Sequence, residues 1–165
     1  MYKVLIFSYY FPPKGLSGVQ RTTKFVKYLP EFNWSPTVIT TGDIAYFAHD
    51  YSLLEDLKNE NIRVVRVNGK EINSILKKKG TMKMPREIFR KIYSYINSWF
   101  YIPDNKKSWA NHAYKEAKKL CLEEKFDVIF VSGPPFSSVE AARKISEEFK
   151  IPLFVDYRDL WYGNQ

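Results

Sequence analysis

Short apolar runs alternate along this chain with longer segments of helical periodicity. The first run, residues 3–9, has no alternation of apolar and polar positions, which is typical of a strand buried on both faces of a parallel sheet. Further strands are predicted at residues 36–41, 62–67, 127–131 and 152–156. Helices are predicted at residues 19–29, 50–61, 85–101, 107–125 and 137–150. This order predicts right-handed βαβ units in one doubly wound, mostly parallel α/β sheet.

The third strand is expected to lie near an edge of that sheet. Arg63 and Arg66 interrupt its apolar residues, which indicates a partly exposed strand. The fifth strand is expected to be buried and central, because its residues 152–155 are apolar.

The carboxyl ends of the strands are the expected place for a binding site. In open parallel sheets, ligands bind at this edge, where the strand order reverses. The loops that leave these ends are predicted at residues 9–18, 42–49, 132–137 and 156–161. Most of them are rich in Gly or Pro or carry charge, so they are the expected walls of the site.

The first of these loops joins a buried strand to a helix start, where free backbone N–H groups and the helix dipole favour anions. Gly15 and Gly18 follow two prolines with G-x-x-G spacing, which is neither the G-x-G-x-x-G dinucleotide pattern nor a Walker A loop. One interpretation is a tight turn that requires glycine. The other is close approach of the backbone to a phosphate or a sugar. Gln20 and Arg21 in the first helical turn would add polar contacts, and an anionic ligand would offset the unfavourable position of Arg21 in the helix dipole.

The loop at residues 132–138 has two interpretations as well. It is either a rigid turn that supplies Ser137 or Ser138 as a helix N-cap, with Glu140 near the positive end of that helix, or a rim of the same cleft.

The charged residues at the end of the fifth strand also have two interpretations. Alternation places Asp156 and Arg158 on one side of the strand and Asp159 on the other. These residues form either a structural salt bridge or part of a functional site, and the sequence favours neither interpretation.

Length and composition limit the classes of protein to which the chain can belong. A chain of 165 residues corresponds to about one domain. No stretch approaches the roughly 18 apolar residues of a transmembrane helix, and the first residues lack the layout of a signal peptide. The single cysteine, Cys121, excludes an internal disulfide, fits a reducing compartment and is expected to be a packing residue. His49 and His112 lack metal-ligand spacing, and no G-x-S-x-G elbow is present, so no metal and no catalytic triad are expected.

The net charge of +8 is concentrated in the middle of the chain. Residues 70–119 contain 13 basic and 4 acidic residues, which gives +9, while residues 1–69 and 120–165 give +2 and −3. Within this part, residues 86–101 combine basic side chains with helically spaced aromatic ones. Such a segment is either a core-packing helix with a solvated basic face or a helix on an anionic membrane surface. Nucleic acid is not an expected partner, because no recognised binding module accompanies the charge.

Several motifs together resemble one family. They are residues 8–21 (SYYFPPKGLSGVQR), 24–29 (KFVKYL), 127–129 with 132–137 (DVI, SGPPFS) and 152–161 (PLFVDYRDLW). They resemble the N-terminal part of family 4 GT-B glycosyltransferases. The resemblance spans most of residues 1–161 and is weakest over 70–105.

This resemblance implies a Rossmann-like N-terminal, acceptor-side domain over residues 1–165. The donor-binding residues that it implies are Gly15, Leu16, Ser17, Gly18 and Arg21. The acceptor and cleft residues that it implies are Ser132, Gly133, Pro134, Asp156 and Trp161. Arg158 and Asp159 are the catalytic candidates, although Arg158 stands where many members of the family have histidine. No cofactor and no bound metal are expected, because the nucleotide-sugar is a substrate.

The function implied is half of a retaining glycosyltransferase that moves a sugar from a nucleotide-sugar to a sugar or lipid-linked acceptor. Synthesis of cell-surface polysaccharide or glycolipid is the expected context, in the cytoplasm or at the inner face of the membrane. Most donor contacts of the family belong to a C-terminal domain, so the chain is expected to be the front part of a longer protein and inactive alone. The alternative is a non-catalytic nucleotide- or anion-binding module.

Overall fold

The computed structural model describes residues 1–42, 45–58, 62–69, 81 and 104–158. The strands in these ranges are β1 (Tyr2–Phe7), β2 (Trp34–Thr41), β3 (Arg63–Val67), β4 (Val128–Gly133) and β5 (Leu153–Tyr157). The α-helices are α1 (Ser17–Tyr28), α2 (Ser52–Glu55), α3 (Lys107–Glu123) and α4 (Phe136–Phe149), and a 3₁₀ turn (Leu29–Phe32) follows α1.

The five strands form one sheet in the order β3-β2-β1-β4-β5. Every pairing in it is parallel. The chain first moves outward from β1 to β3 and then returns to place β4 on the other side of β1. The strand order therefore reverses between β1 and β4. The prediction of a doubly wound parallel α/β sheet is confirmed.

Strand β1 is the centre of the core, as its unbroken apolar sequence predicted. Leu5 and Phe7 face α3 and α4 on one side of the sheet, while Val4 and Ile6 face α1 on the other, and all four are buried. Burial of such side chains stabilises the fold by about 2 kcal/mol each. Both faces of the central strand are thus held between helices, which fixes the position of the loop that leaves its carboxyl end.

The prediction for β5 is wrong in one respect. This strand lies at an edge of the sheet that the described residues form, not at its centre. Phe154 is 65% exposed on the α1 side, while Leu153 and Val155 pack against the core on the other. An apolar sequence alone therefore did not identify the strand as central. The prediction that β3 lies near an edge is confirmed.

The helix predicted at residues 50–61 is much shorter in the structure. Helix α2 covers Ser52–Glu55, and turns follow to Lys58. The Asp56 carboxylate just after α2 accepts hydrogen bonds from Lys24 and Lys27 of α1, at 2.6 and 2.8 Å. These ion pairs, rather than continued helix, attach the segment to α1.

The amino terminus of α4 also differs from its prediction. The helix begins at Phe136 with Pro135 as its N-cap residue, so neither Ser137 nor Ser138 is the cap. Asp104 supplies the capping oxygens instead, since it accepts hydrogen bonds from the Ser137 amide at 2.8 Å and the Ser137 hydroxyl at 2.7 Å. A residue 33 positions earlier therefore takes the role that the sequence pattern assigned to a local serine.

Some expectations fall on residues that the structure does not describe. The basic aromatic segment 86–101, Asp159 and Trp161 lie outside the described residues. Within the described ranges, no helix is long and apolar enough to cross a membrane. Cys121 packs against the core cluster beneath α3, as expected for a packing residue.

Candidate functional site

A cleft of about 500 Å³ lies at the carboxyl ends of β1 and β4, where the strand order reverses. Parallel sheets place their ligands at this point. The residues that line it are Tyr10, Gly15, Leu16, Ser17, Gly18, Val19, Arg21, Tyr46, Pro134 and Arg158. All five residues implied as donor-binding are among them, together with Pro134 and the catalytic candidate Arg158.

The first wall of the cleft is the start of α1. The N-cap residue Leu16 has no capping side chain, no other side chain in the described part of the chain caps this helix, and its first turn contains no acidic residue. The N-cap residue Leu16 has φ 79° and ψ 160°, a backbone conformation that residues other than glycine rarely adopt. The wall is therefore a strained turn followed by a helix end without a capping side chain.

A second loop holds this turn in place. The Gly15 amide donates a hydrogen bond to the Ala48 carbonyl at 2.9 Å, and the Asp50 amide donates to the Pro13 carbonyl at 2.8 Å. An antiparallel bridge joins Lys14 and His49 between them. The loops after β1 and β2 thus form one unit.

Arg66 of β3 also stabilises the turn before α1, through hydrogen bonds to backbone carbonyls. Its guanidinium donates to the Pro12 carbonyl at 2.6 Å and to the Thr41 carbonyl at 3.2 Å. The sequence pattern had indicated only that Arg63 and Arg66 interrupt a partly exposed strand near an edge of the sheet. The pattern carried no signal for this role, because Pro12 lies 54 positions earlier.

Asp156 connects three elements at the side of the cleft. Its carboxylate accepts hydrogen bonds from Arg21 of α1 at 2.7 Å and from the Ser132 hydroxyl at 3.0 Å. The Asp156 side chain is 12% exposed, and that of Arg21 is 54% exposed. Since α1 begins at Ser17, Arg21 lies beyond the first turn. Asp156 therefore supplies the opposite charge that the sequence analysis had assigned to an anionic ligand.

Arg158 is held by the loop after β4. Its amide donates to the Gly133 carbonyl at 3.1 Å, its Nε donates to the same carbonyl at 3.3 Å, and its Nη2 donates to the Pro134 carbonyl at 2.5 Å. A Cβ atom on Gly18 would lie 2.0 Å from Nη1, so this position of the guanidinium requires glycine there. In the described part of the chain, no ion pair joins Arg158 to Asp156, and the salt bridge that Asp156 makes is with Arg21.

Tyr10 and Tyr46 are site residues that the sequence analysis did not select. Burial raises the pKa of Tyr10 to about 12, with smaller contributions from Tyr46 and Asp104 and an opposing one from Arg158. Burial also raises the pKa of Tyr46, and Arg158 again opposes it. Both phenols are therefore neutral at physiological pH. The available signal was their place in the two loops predicted at this edge of the sheet.

A second depression of about 510 Å³ lies at the opposite ends of β4 and β5. The ends of α3 and α4 line it, with Cys121 among the lining residues. Burial raises the pKa of the Cys121 thiol to about 11, so the thiol stays protonated and unreactive. None of the described residues of the carboxyl-end loops lines this depression, and we assign the site to the cleft between β1 and β4.

Metal ligands do not converge in the described ranges. No group of three or more His, Cys, Asp or Glu side chains there has the geometry to hold a metal ion. The polar groups of the cleft are cations, hydroxyls and backbone N–H groups, a set suited to anions and sugar hydroxyls rather than to metals.

Comparison with known proteins extends the description of the fold. No family model and no curated protein matches the sequence. Among solved structures, the C-terminal domain of a hydrogenase from Pyrococcus furiosus has a TM-score of 0.54 at 17% identity, with 94% of this chain and 91% of that chain covered. A UGT transferase from Siraitia grosvenorii, in complex with UDP, has a TM-score of 0.50 at 10% identity. A glycosyltransferase from Rickettsia africae has a TM-score of 0.45 at 18% identity.

These similarities define the fold and no more, because the identities are low. The chain has a Rossmann-like, glycosyltransferase-like α/β fold. It spans 28% of the length of the UGT transferase and 29% of that of the Rickettsia enzyme, but nearly all of the hydrogenase domain. The same fold therefore occurs both in a domain of a hydrogenase and in a transferase, so the fold alone does not identify the function. The function is argued from the residues of the cleft.

Proposed function

We propose that the chain is the acceptor-side half of a retaining, family 4-like GT-B glycosyltransferase. It would work with a nucleotide-sugar and a sugar or lipid-linked acceptor, in the synthesis of a cell-surface polysaccharide or glycolipid. The observation that carries this proposal is the convergence of separate motifs on one cleft at the switch point of the sheet. Gly15–Arg21, Ser132–Pro134 and Asp156–Arg158 are far apart in sequence and touch one another there.

The place of the donor phosphate follows from the two helices that begin at this edge. The amino terminus of α4 is occupied by the Asp104 carboxylate. No side chain in the described ranges caps the amino terminus of α1, and the Arg158 guanidinium lies over Gly18 beside it. Helix dipole, backbone N–H groups and guanidinium together favour a phosphate at α1. The similar UGT transferase was solved with UDP, which makes a uridine nucleotide the first probe.

Transfer itself would require a second domain. The described residues supply one side of the cleft, whereas transfer requires donor and acceptor to be held together with water excluded. We therefore expect little or no transferase activity from the 165-residue chain alone. The catalytic role of Arg158 or Asp159 is left open by this proposal, and no metal is required by it.

A titration with UDP followed by amide NMR tests the proposal. UDP should shift the amide resonances of Gly15, Ser17 and Gly18, and Arg158→Gln should weaken binding about tenfold through loss of a charge-assisted contact. The control is Arg143→Gln on the outer surface of α4, whose ion pairs with Glu140 and Glu147 lie away from the cleft. This variant should bind UDP as the wild type does. Unchanged resonances of the α1 loop at saturating UDP would refute the donor site.

A non-catalytic anion-binding module is the second candidate. The match to the hydrogenase domain favours this candidate, because the match covers 91% of that domain and the domain is not described as a transferase. Such a module would bind UDP, ADP and inorganic phosphate through the same α1 loop with similar affinity. A donor site should instead prefer the nucleotides to phosphate by at least about tenfold, since the nucleoside adds contacts.

Contact with an anionic membrane is a separate part of the proposal. It depends on the basic aromatic segment 86–101 and would place the protein at the inner face of the membrane. Co-sedimentation with vesicles tests it. Binding should require anionic lipid and should fall as salt is raised. Equal binding to neutral vesicles, or none to either, would remove this part alone.

A further inference from the structure

The turn before α1 has few backbone donors of its own. Pro12 and Pro13 lack an N–H group, so the carbonyl groups around them depend on donors from elsewhere. Leu16 follows with a φ of 79°, and a strained backbone of this kind persists only where surrounding contacts over-determine it. Much of what holds the turn therefore comes from other parts of the chain.

Arg66 of β3 makes such contacts with two segments at once. Its side chain lies on the α1 side of the sheet, like that of Val64 two residues earlier. Nη2 donates to the Pro12 carbonyl at 2.6 Å in the loop after β1, and Nη1 donates to the Thr41 carbonyl at 3.2 Å at the end of β2. A guanidinium carries its donors in a fixed planar fork, so it sets the distance between the two carbonyls. We call this arrangement the arginine clamp.

The arginine clamp acts on the two loops that form one wall of the cleft. Hydrogen bonds from the Gly15 amide to the Ala48 carbonyl and from the Asp50 amide to the Pro13 carbonyl join these loops near α1. The clamp joins them again at the ends of the strands. Gly15 lines the cleft, whereas Arg66 is not among the described residues that line it. Arg66 therefore acts on a ligand through the position of the turn rather than by contact.

We propose that Arg66 is a positioning residue for the phosphate site at the start of α1. The arginine clamp keeps the backbone N–H groups of the turn in the arrangement that a bound phosphate requires. This inference rests on the proposed function and adds to it a residue from a strand outside the cleft. Without the clamp the turn is in the competent arrangement for only part of the time, and the affinity falls in proportion to that fraction.

Titration of the full chain with UDP tests the effect on affinity. If about a fifth of the molecules keep the competent turn, Arg66→Gln should bind UDP about fivefold more weakly. Arg66→Lys should still bind about threefold more weakly, because an ammonium keeps the charge but not the fork that spans two carbonyls. Arg63→Gln is the matched control, since it removes the same charge from the same strand. Arg63 pairs with Glu124 at 2.9 Å at the other end of β3, so this variant should bind UDP as the wild type does.

Amide hydrogen exchange separates positioning of the turn from stability of the fold. The amides of Gly15 and Asp50 should exchange about tenfold faster in Arg66→Gln, because their hydrogen bonds join the loops that the clamp holds together. The Ile129 amide donates to the Pro152 carbonyl at 2.8 Å and lies in the core of the sheet, so it reports opening of the whole fold. Its exchange should change less. Equal acceleration of all three amides would show a loss of stability alone and would overturn the inference.

The conservative variant decides between the clamp and simple attraction of charge. Wild-type affinity in Arg66→Lys would show that only the positive charge matters, and the inference would then be wrong. If Arg66→Gln does not fold, Arg66→Lys carries both measurements. The two proposals fail differently. If the wild type binds UDP and the Arg66 variants bind it as tightly, the inference falls alone. If the wild type binds neither UDP nor inorganic phosphate, the donor site falls and the inference falls with it.

Discussion

Leu16 shows how a single residue shapes the cleft. Its φ of 79° and ψ of 160° belong to a region of backbone conformation that is nearly restricted to glycine and costs about 1 to 3 kcal/mol elsewhere. Its side chain is 49% exposed, so core packing gives no reason for leucine there. The strain lies at the N-cap position of α1, beside the proposed phosphate position, and the hydrogen bonds between the loops after β1 and β2 hold the residue in this conformation.

Replacement of Leu16 by glycine should therefore stabilise the fold. Strain of this size is relieved in Leu16→Gly, and the larger entropy of the unfolded glycine chain offsets part of the gain. We expect an increase of about 1 kcal/mol in the free energy of unfolding, measured with urea. Asn33→Gly is the control, because Asn33 has φ 63° and ψ 30°, a conformation that asparagine tolerates. It should change stability by less. A Leu16→Gly protein less stable than the wild type would show that the conformation is not strained.

Asp104 binds the amino-terminal ends of two helices. It caps α4 through the Ser137 amide and hydroxyl, and it also accepts a hydrogen bond from the Lys106 amide at 2.8 Å just before α3. One carboxylate thus joins the starts of two helices. For α3 this acceptor lies just before the helix in sequence, whereas for α4 it lies 33 positions before Ser137.

Loss of this carboxylate should be costly. In Asp104→Ala the amides of Ser137 and Lys106 lose their acceptor, so we expect the free energy of unfolding to fall by about 2 kcal/mol. Asp104→Asn should recover part of it, since one acceptor oxygen is kept. Glu116→Ala on the surface of α3 removes only a pair with Lys119 and should cost less than about 0.5 kcal/mol. Equal effects of Asp104→Ala and Glu116→Ala would contradict the capping role.

The elements themselves were largely predictable, while their ends and partners were not. The run of apolar residues in β1 and the β-branched run in β2 identified the strands, because period and propensity are local properties. The N-cap of α4 was assigned to a serine because serine is a common cap. In the structure Asp104 caps the helix instead, through a contact between residues that are 33 positions apart.

The attachment of α2 to α1 makes the stability of the whole molecule depend on pH. Hydrogen bonds from Lys24 and then Lys27 lower the pKa of Asp56 from 3.8 to about 2. Because the folded state has the lower pKa, this carboxylate contributes stability above about pH 4, and the contribution is lost as the pH falls towards 2.

Asp56→Asn should remove this contribution. The difference in urea midpoint between wild type and Asp56→Asn should be present at pH 6 and should shrink steadily between about pH 4 and pH 2. Glu55→Gln is the control, because its pair with Lys58 is exposed on both sides. This variant should show a smaller difference at pH 6. A difference between wild type and Asp56→Asn that is constant from pH 6 to pH 2 would contradict the role of the ion pairs.

The sequence by itself determined the order of elements, the parallel sheet and the edge at which a site would form. These follow from local periodicity and from the right-handed connection of parallel strands. It also indicated the α1 loop and the residues around Asp156.

Only the tertiary structure decided how these parts meet. It placed β5 at an edge, paired Asp156 with Arg21 across 135 positions, set Arg66 beneath Pro12 and joined Tyr46 to Tyr10. Each of these depends on contacts between distant segments, which no local pattern of side chains specifies, and together they form the cleft on which the proposed function rests.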